Sequence, residues 1–94
     1  MKITVTPKNA PTEKDFYLRI TEGLGIGSSI NNLDALYDVL TEPREKFEIY
    51  IKDADFASRY GGRGRLILEV MKDAREEGGD FNLKIRTRRL KIFG

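Results

Sequence analysis

Three short segments with alternating apolar residues, far apart along the chain, constrain the fold more than any other feature. Lys2–Val5, Phe47–Ile51 and Phe81–Ile85 place apolar side chains at every second position, the pattern of a β-strand with one buried face. Helical patterns occupy the chain between them, and strands joined through helices pair in parallel with right-handed connections. We therefore expect an α/β fold, with a three-stranded parallel sheet and helices packed mainly on one of its faces.

Helical periodicity predicts three amphipathic helices between the strands. The first follows the N-cap Thr12, and its apolar stripe consists of Phe16, Tyr17, Ile20 and Leu24. The second is capped by Asn31 or Asn32 and extends to about Thr41. The third covers residues 65–77, and its apolar face consists of Leu66, Ile67, Val70, Met71 and Ala74.

Glycines are expected to form helix ends and connections. The first helix is predicted to end in a loop that contains Gly23, Gly25 and Gly27. A loose connection ahead of the third helix is predicted to contain Gly61, Gly62 and Gly64. Neither group has the spacing of a dinucleotide-binding or phosphate-binding loop, so neither predicts a nucleotide site.

The composition excludes several classes of protein. The chain of 94 residues contains no cysteine and no histidine, which excludes disulfides and catalysis by Ser-His, Cys-His or His-zinc groups. No apolar run approaches the roughly 18 residues of a membrane span, and Met1–Val5 lacks the longer apolar core of a signal peptide. We expect a cytoplasmic protein without a metal or cofactor.

Charge is distributed unevenly along the chain. Residues 81–94 carry five basic residues and no acid, whereas residues 1–80 have a net charge of −3. The basic segment 86–94 could bind nucleic acid, or it could be a solubilising end of the molecule. Leu90 and Ile92 in this segment could extend the third strand or begin another.

The run Asn32-Leu33-Asp34-Ala35-Leu36-Tyr37-Asp38-Val39-Leu40 resembles the recognition helix of the barstar family, the intracellular inhibitors of secreted microbial ribonucleases. Family members share Asn-Leu-Asp-Ala-Leu, then an aromatic residue, Asp, a variable residue and Leu. The segment Val70–Gly78 resembles the last helix of the family and its terminal glycine. The resemblance covers about residues 30–85, and it implies one barstar-like domain over 1–94 with 86–94 as a basic tail or strand extension.

The resemblance also implies a mechanism in which the protein plugs an active site. The second helix and the loop before it would enter the active site of an extracellular-type microbial ribonuclease or a related nuclease toxin. Asp38 would occupy the place of a substrate phosphate, Asp34 would assist from one turn earlier, and Asp73 would contact the rim. The other implied partner-binding residues are Tyr37, Asn32 and the loop residues Ser28 and Ser29. The protein would then be an inhibitor and not an enzyme.

The residues by themselves leave other interpretations open. Asp34 and Asp38 are four positions apart and share a helix face about 100–140° from the apolar stripe, but such pairs are also common on purely solvated faces. Asp73 could equally be a surface acid, and Tyr37 could pack in or beside the core. The competing functions are an enzyme that uses only the two aspartates, and a small nucleic-acid-binding module that uses the basic tail.

Overall fold

The computed structural model describes residues 1–27 and 29–86. Its elements, in chain order, are β1 (Lys2–Val5), α1 (Glu13–Leu24), α2 (Leu33–Thr41), β2 (Phe47–Ile51), α3 (Arg63–Glu76) and β3 (Phe81–Ile85). Two short 3-10 turns, Phe56–Ser58 and Tyr60–Gly62, lead into α3. Ser28 and residues 87–94, including Leu90 and Ile92, lie outside the described residues, and so does most of the basic tail.

The three strands of the described chain form one parallel sheet in the order β1-β2-β3. Its register aligns Ile3 with Ile49 and Ile49 with Leu83, so the apolar positions of all three strands point to the same face. The predicted α/β fold, with a three-stranded parallel sheet, is therefore confirmed.

The helices cover the apolar face of this sheet. Phe47 and Phe81 stack there with ring centroids 5.2 Å apart, and Phe16 of α1 meets Phe56 at 5.5 Å. The opposite face carries side chains that are exposed or half-buried, namely Lys2, Thr4, Glu48, Tyr50, Asn82 and Lys84. The helices thus lie on one face, as the alternation predicts.

Side-chain caps fix where α1 and α2 begin. The hydroxyl oxygen of Thr12 accepts a hydrogen bond from the amide of Asp15 at 3.1 Å. The side-chain carbonyl of Asn32 accepts one from the amide of Ala35 at 2.7 Å. Asn32, rather than Asn31, is therefore the N-cap of α2, and both caps satisfy amides that have no partner within the helix.

Two glycines that were predicted to lie in loops instead lie inside helices, where close packing requires them. A Cβ on Gly23, within α1, would lie 2.5 Å from Cγ1 of Ile3. A Cβ on Gly64, in the first turn of α3, would lie 1.8 Å from the carbonyl oxygen of Phe56. The prediction that Gly64 belongs to a loose connection is wrong, because α3 begins at Arg63, two residues before the predicted start at residue 65.

The predicted apolar face of α3 is also too wide. Ile67, Met71 and Ala74 are fully buried, whereas Leu66 is 38% exposed. One residue turns the helix by about 100°, so Leu66 lies beside the stripe and not within it. The prediction for Leu66 is therefore wrong.

Two ion pairs fix the loops that surround the helices. Asp53, only 6% exposed, accepts hydrogen bonds from Nε and Nη2 of Arg59 at 2.8 and 3.1 Å, and this contact lowers the pKa of Asp53. Arg63 donates to Glu13 at 2.7 and 3.1 Å, which joins the N-terminal ends of α3 and α1. Tyr17 donates to the same carboxylate at 2.7 Å.

Candidate partner-binding helix

Helix α2 is attached to the core along one side only. Leu36 and Leu40 are fully buried, and Ile30, in the loop before the helix, is 5% exposed. Leu33 and Val39 flank this stripe and are half-buried. The side of α2 that faces away from the core is consequently held in a fixed position and is available to a partner.

The two aspartates of α2 lie on that outer side. Asp34 and Asp38 are both exposed, and their spacing of four residues puts them one turn apart on the same face. Among the described residues, neither carboxylate forms an ion pair or a side-chain hydrogen bond. A cationic partner could therefore bind both without breaking an existing contact.

Tyr37 connects α2 to the end of α3. Its ring is half-buried, and its hydroxyl donates a hydrogen bond to the carboxylate of Glu77, the C-cap of α3. This bond raises the pKa of Tyr37, and burial and the negative charges of Glu77, Asp73 and Asp38 raise it further. The phenol therefore lies among three carboxylates from two helices.

Asp34 extends this group by one turn of α2. We call the four carboxylates together the acidic surface, which consists of Asp34, Asp38, Asp73 and Glu77. All four side chains are exposed. The sequence interpretation missed Glu77, although its position four residues after Asp73 puts both on the same side of a helix. Its contact with Tyr37 joins residues 40 positions apart and has no local signal in the sequence.

The other candidate residues precede Asp34 along the chain. The side-chain oxygen of Asn32 caps α2. The side-chain nitrogen of Asn32 donates a hydrogen bond to the side-chain oxygen of Asn31 at 3.0 Å. Ser29 is exposed. Ser28 lies outside the described residues.

A groove of about 660 Å³ lies between α1 and the loop that precedes α2. Leu18, Thr21, Ser29 and Asn31 contribute to its lining, whereas Asp34 and Asp38 do not. The two aspartates lie on an exposed ridge, which does not provide the dry pocket that an enzyme using only carboxylates needs. Within residues 1–27 and 29–86, no three acidic side chains are grouped so that they could hold a metal ion.

Comparison with known protein families identifies the family of the chain. The family model of barstar, described as the barnase inhibitor, matches residues 1–88. The chain belongs to the barstar family. The match includes β1 and α1, which lie outside the segment that carries the sequence resemblance. Barstar-family members are inhibitors and not enzymes.

A comparison with curated proteins found no match to the chain. In the described part of this barstar-family chain, no helix is both long enough and apolar enough to cross a membrane.

Proposed function

We propose that this barstar-family protein inhibits a ribonuclease or a related nuclease toxin by inserting α2 into the enzyme's active site. Asp38 takes the place of a substrate phosphate, and Asp34 binds one turn away. The observation that carries this proposal is a pair of exposed carboxylates that have no ion-pair partner among the described residues, on a helix anchored by the fully buried Leu36 and Leu40. The family match over residues 1–88 supports it.

The chemistry of nucleases explains how a pair of carboxylates can bind in their active sites. A site that binds a phosphodiester presents arginine, lysine or protonated histidine, and a carboxylate forms short charge-assisted hydrogen bonds with each of these groups. Opposite charges also accelerate the encounter of the two proteins. Since Asp34 and Asp38 have no ion-pair partner among the described residues, no internal ion pair opposes binding.

The remaining candidates contribute around this pair. Asp73 and Glu77 bind cations at the rim of the active site, and Tyr37 holds Glu77 in place through its hydroxyl. Asn32 fixes the direction of the first turn of α2 through its cap, and Ser29, with Ser28, offers hydroxyl groups to the enzyme. The protein acts by stoichiometric binding, as one domain, inside the cell.

Titration of guanyl-specific ribonucleases tests the proposal. Wild-type protein should inhibit a cognate or related enzyme with one-to-one stoichiometry. Asp38→Ala and the nearly isosteric Asp38→Asn should each weaken inhibition by at least tenfold, because both remove the charge that replaces the phosphate. Glu45→Ala, which removes an exposed carboxylate that has no ion-pair partner among the described residues from the loop before β2, is the matched control and should inhibit like the wild type.

Circular dichroism of each variant shows whether a loss of inhibition reflects a loss of folding. Equal inhibition by wild type and both Asp38 variants would remove Asp38 from the mechanism. Absence of inhibition by the wild type against every nuclease tested, including any encoded in the neighbouring reading frame, would remove the function itself.

A further inference from the structure

The face of the sheet that the helices leave uncovered carries a second charged surface. Its side chains come from every second position of the three strands and are Lys2, Thr4, Glu48, Tyr50, Asn82 and Lys84. We call this surface, together with Lys52 and Arg86, the open sheet face. It belongs to the layer opposite the helices that form the acidic surface.

Lys52 and Arg86 belong to this face because they continue its strands. The amide of Lys52 donates to the carbonyl of Val5 at 2.7 Å, and the amide of Arg86 donates to that of Ile51 at 2.9 Å. Both bonds extend the parallel ladder by one residue beyond β2 and β3. Strand alternation then directs both exposed side chains to the same side as Tyr50 and Lys84.

The open sheet face has an excess of positive charge. Four cationic side chains, those of Lys2, Lys52, Lys84 and Arg86, share it with one carboxylate, Glu48. Within residues 1–27 and 29–86, none of the four cations forms an ion pair. An anionic partner can therefore approach without displacing an acid of the protein.

Tyr50 lies at the centre of these charges. It occupies the middle strand, and the ammonium groups of Lys2 from β1 and Lys84 from β3 each lie 5.2 Å from the centroid of its ring. The ring thus holds two cations beside one aromatic surface. A ligand that carries negative charge and a flat π-system at short spacing satisfies both features at once.

We propose that the open sheet face binds single-stranded nucleic acid. Its phosphates contact the four cations, and one base stacks on Tyr50 when an ammonium group moves from the ring to a phosphate. The hydroxyl of Thr4 and the amide of Asn82 lie on the same face, where they can bond to a sugar or a base edge. Aromatic stacking combined with a cationic surface is how sequence-tolerant single-strand binders work.

This surface is separate from α2, so binding there does not require the nuclease-binding helix. None of the residues that define it belongs to the segment 87–94. Nucleic-acid binding and nuclease inhibition therefore respond to different substitutions, and either one can fail without the other.

Fluorescence anisotropy with a labelled oligouridylate RNA at low salt tests the proposal. The double variant Lys52→Gln/Lys84→Gln should bind at least tenfold more weakly than the wild type. The slope of log K against log salt should become shallower by about 1.4, because each lost phosphate contact on a single strand accounts for about 0.7. Lys14→Gln/Lys72→Gln makes the same charge change on exposed positions of α1 and α3 and should bind like the wild type.

Replacement of Tyr50 separates stacking from charge. Tyr50→Leu should weaken RNA binding severalfold, whereas Tyr50→Phe keeps the ring and should bind normally. Circular dichroism checks that each variant is folded, and nuclease titration should show that the lysine double variant still inhibits.

Several outcomes would overturn the proposal. One is equal weakening by the two double-lysine variants. A second is RNA binding that Tyr50→Leu leaves unchanged, together with binding of heparin or anionic phospholipid vesicles as tight as that of RNA. This result would indicate general attraction of polyanions. A third is binding that disappears on deletion of residues 87–94 but not in the Lys52→Gln/Lys84→Gln variant.

Discussion

The hydroxyl of Tyr37 in α2 donates a hydrogen bond to the carboxylate of Glu77, which caps the end of α3. The bond spans 40 positions of sequence and places Glu77 on the same surface as Asp38. The acidic surface is therefore a product of how two helices pack, and not of the α2 sequence alone.

Tyr37→Phe should weaken inhibition without unfolding the protein. The variant keeps the half-buried ring and loses only the bond that positions Glu77, so we expect the inhibition constant to rise about threefold to tenfold, the effect of one net hydrogen bond. Inhibition titration and thermal unfolding measure the two properties separately.

Tyr60→Phe is the matched control. It loses a hydroxyl that donates to the carbonyl of Ala10 at 2.7 Å, and neither residue belongs to the acidic surface. Its free energy of unfolding should fall by about 1 kcal/mol while inhibition stays unchanged. Wild-type inhibition by Tyr37→Phe would show that Glu77 does not need this bond.

The ion pair of Asp53 with Arg59 should make the fold sensitive to acid. Hydrogen bonding and charge from Arg59 lower the pKa of Asp53 in the folded state relative to the ordinary value of about 3.9. The stabilisation is present above that ordinary value and is lost as pH falls through the lowered pKa. Urea unfolding at pH 7 and at progressively lower pH should show this decline.

Asp53→Asn keeps the shape of the side chain and removes its charge. The variant should be less stable than the wild type at pH 7, and the difference should shrink as pH falls below the ordinary aspartate pKa. A constant difference at all pH values would show that the ion pair contributes nothing through its charge.

Two tyrosines should remain protonated in the folded protein well into the alkaline range. Burial, and then the hydrogen bond to Glu13, raise the pKa of Tyr17 to about 12, and burial raises that of Tyr60 to about 12. Because these values exceed the ordinary tyrosine pKa of about 10, the stabilisation is complete below pH 10 and is lost as pH rises toward 12.

Phenolate absorbance measures this directly. Phenolate formation in the folded protein should be complete only at a pH well above that needed for the urea-unfolded chain. Tyr17→Phe should remove one of the tyrosines that titrate at high pH. Identical titration curves for folded and unfolded protein would contradict the burial of these hydroxyls.

Gly64→Ala should destabilise the protein, because the added methyl group would lie 1.8 Å from the carbonyl oxygen of Phe56. Since a backbone atom cannot yield as a flexible side chain does, the free energy of unfolding should fall by at least about 1–3 kcal/mol. Gly27→Ala is the control, because a Cβ there would have no atom of the described residues within 4 Å, and we expect little change in its free energy of unfolding. Equal melting temperatures for both variants would refute the close contact.

Local chemistry made much of the fold predictable. Alternation in Phe47–Ile51 and Phe81–Ile85 identified the strands, Thr12 marked the start of α1, and the choice between Asn31 and Asn32 as the cap of α2 was settled by the structure. These signals act over two to four residues, so they can be recognised without knowledge of the tertiary packing. The parallel order followed because helical segments separate the strands.

The features that could not be predicted depend on distant parts of the chain. Gly64 looks like a loop glycine until the backbone of Phe56 is placed against it. Leu66 looks like a core residue until the packing of α3 selects a narrower stripe. In the acidic surface, Asp34 and Asp38 were indicated by the nine-residue resemblance, because their spacing alone also fits a solvated face. The contact of Tyr37 with Glu77 required the packed helices.

The parallel sheet also determines when, during synthesis, the chain can complete its fold. Each pair of neighbouring strands is separated by a complete helical crossover, so no strand can pair with the segment that leaves the ribosome just after it. Helix α2 emerges early, but Glu77 and the last strand emerge some forty residues later. A nascent chain therefore carries Asp34 and Asp38 long before the packing of α2 against α3 can place them on one surface with Glu77.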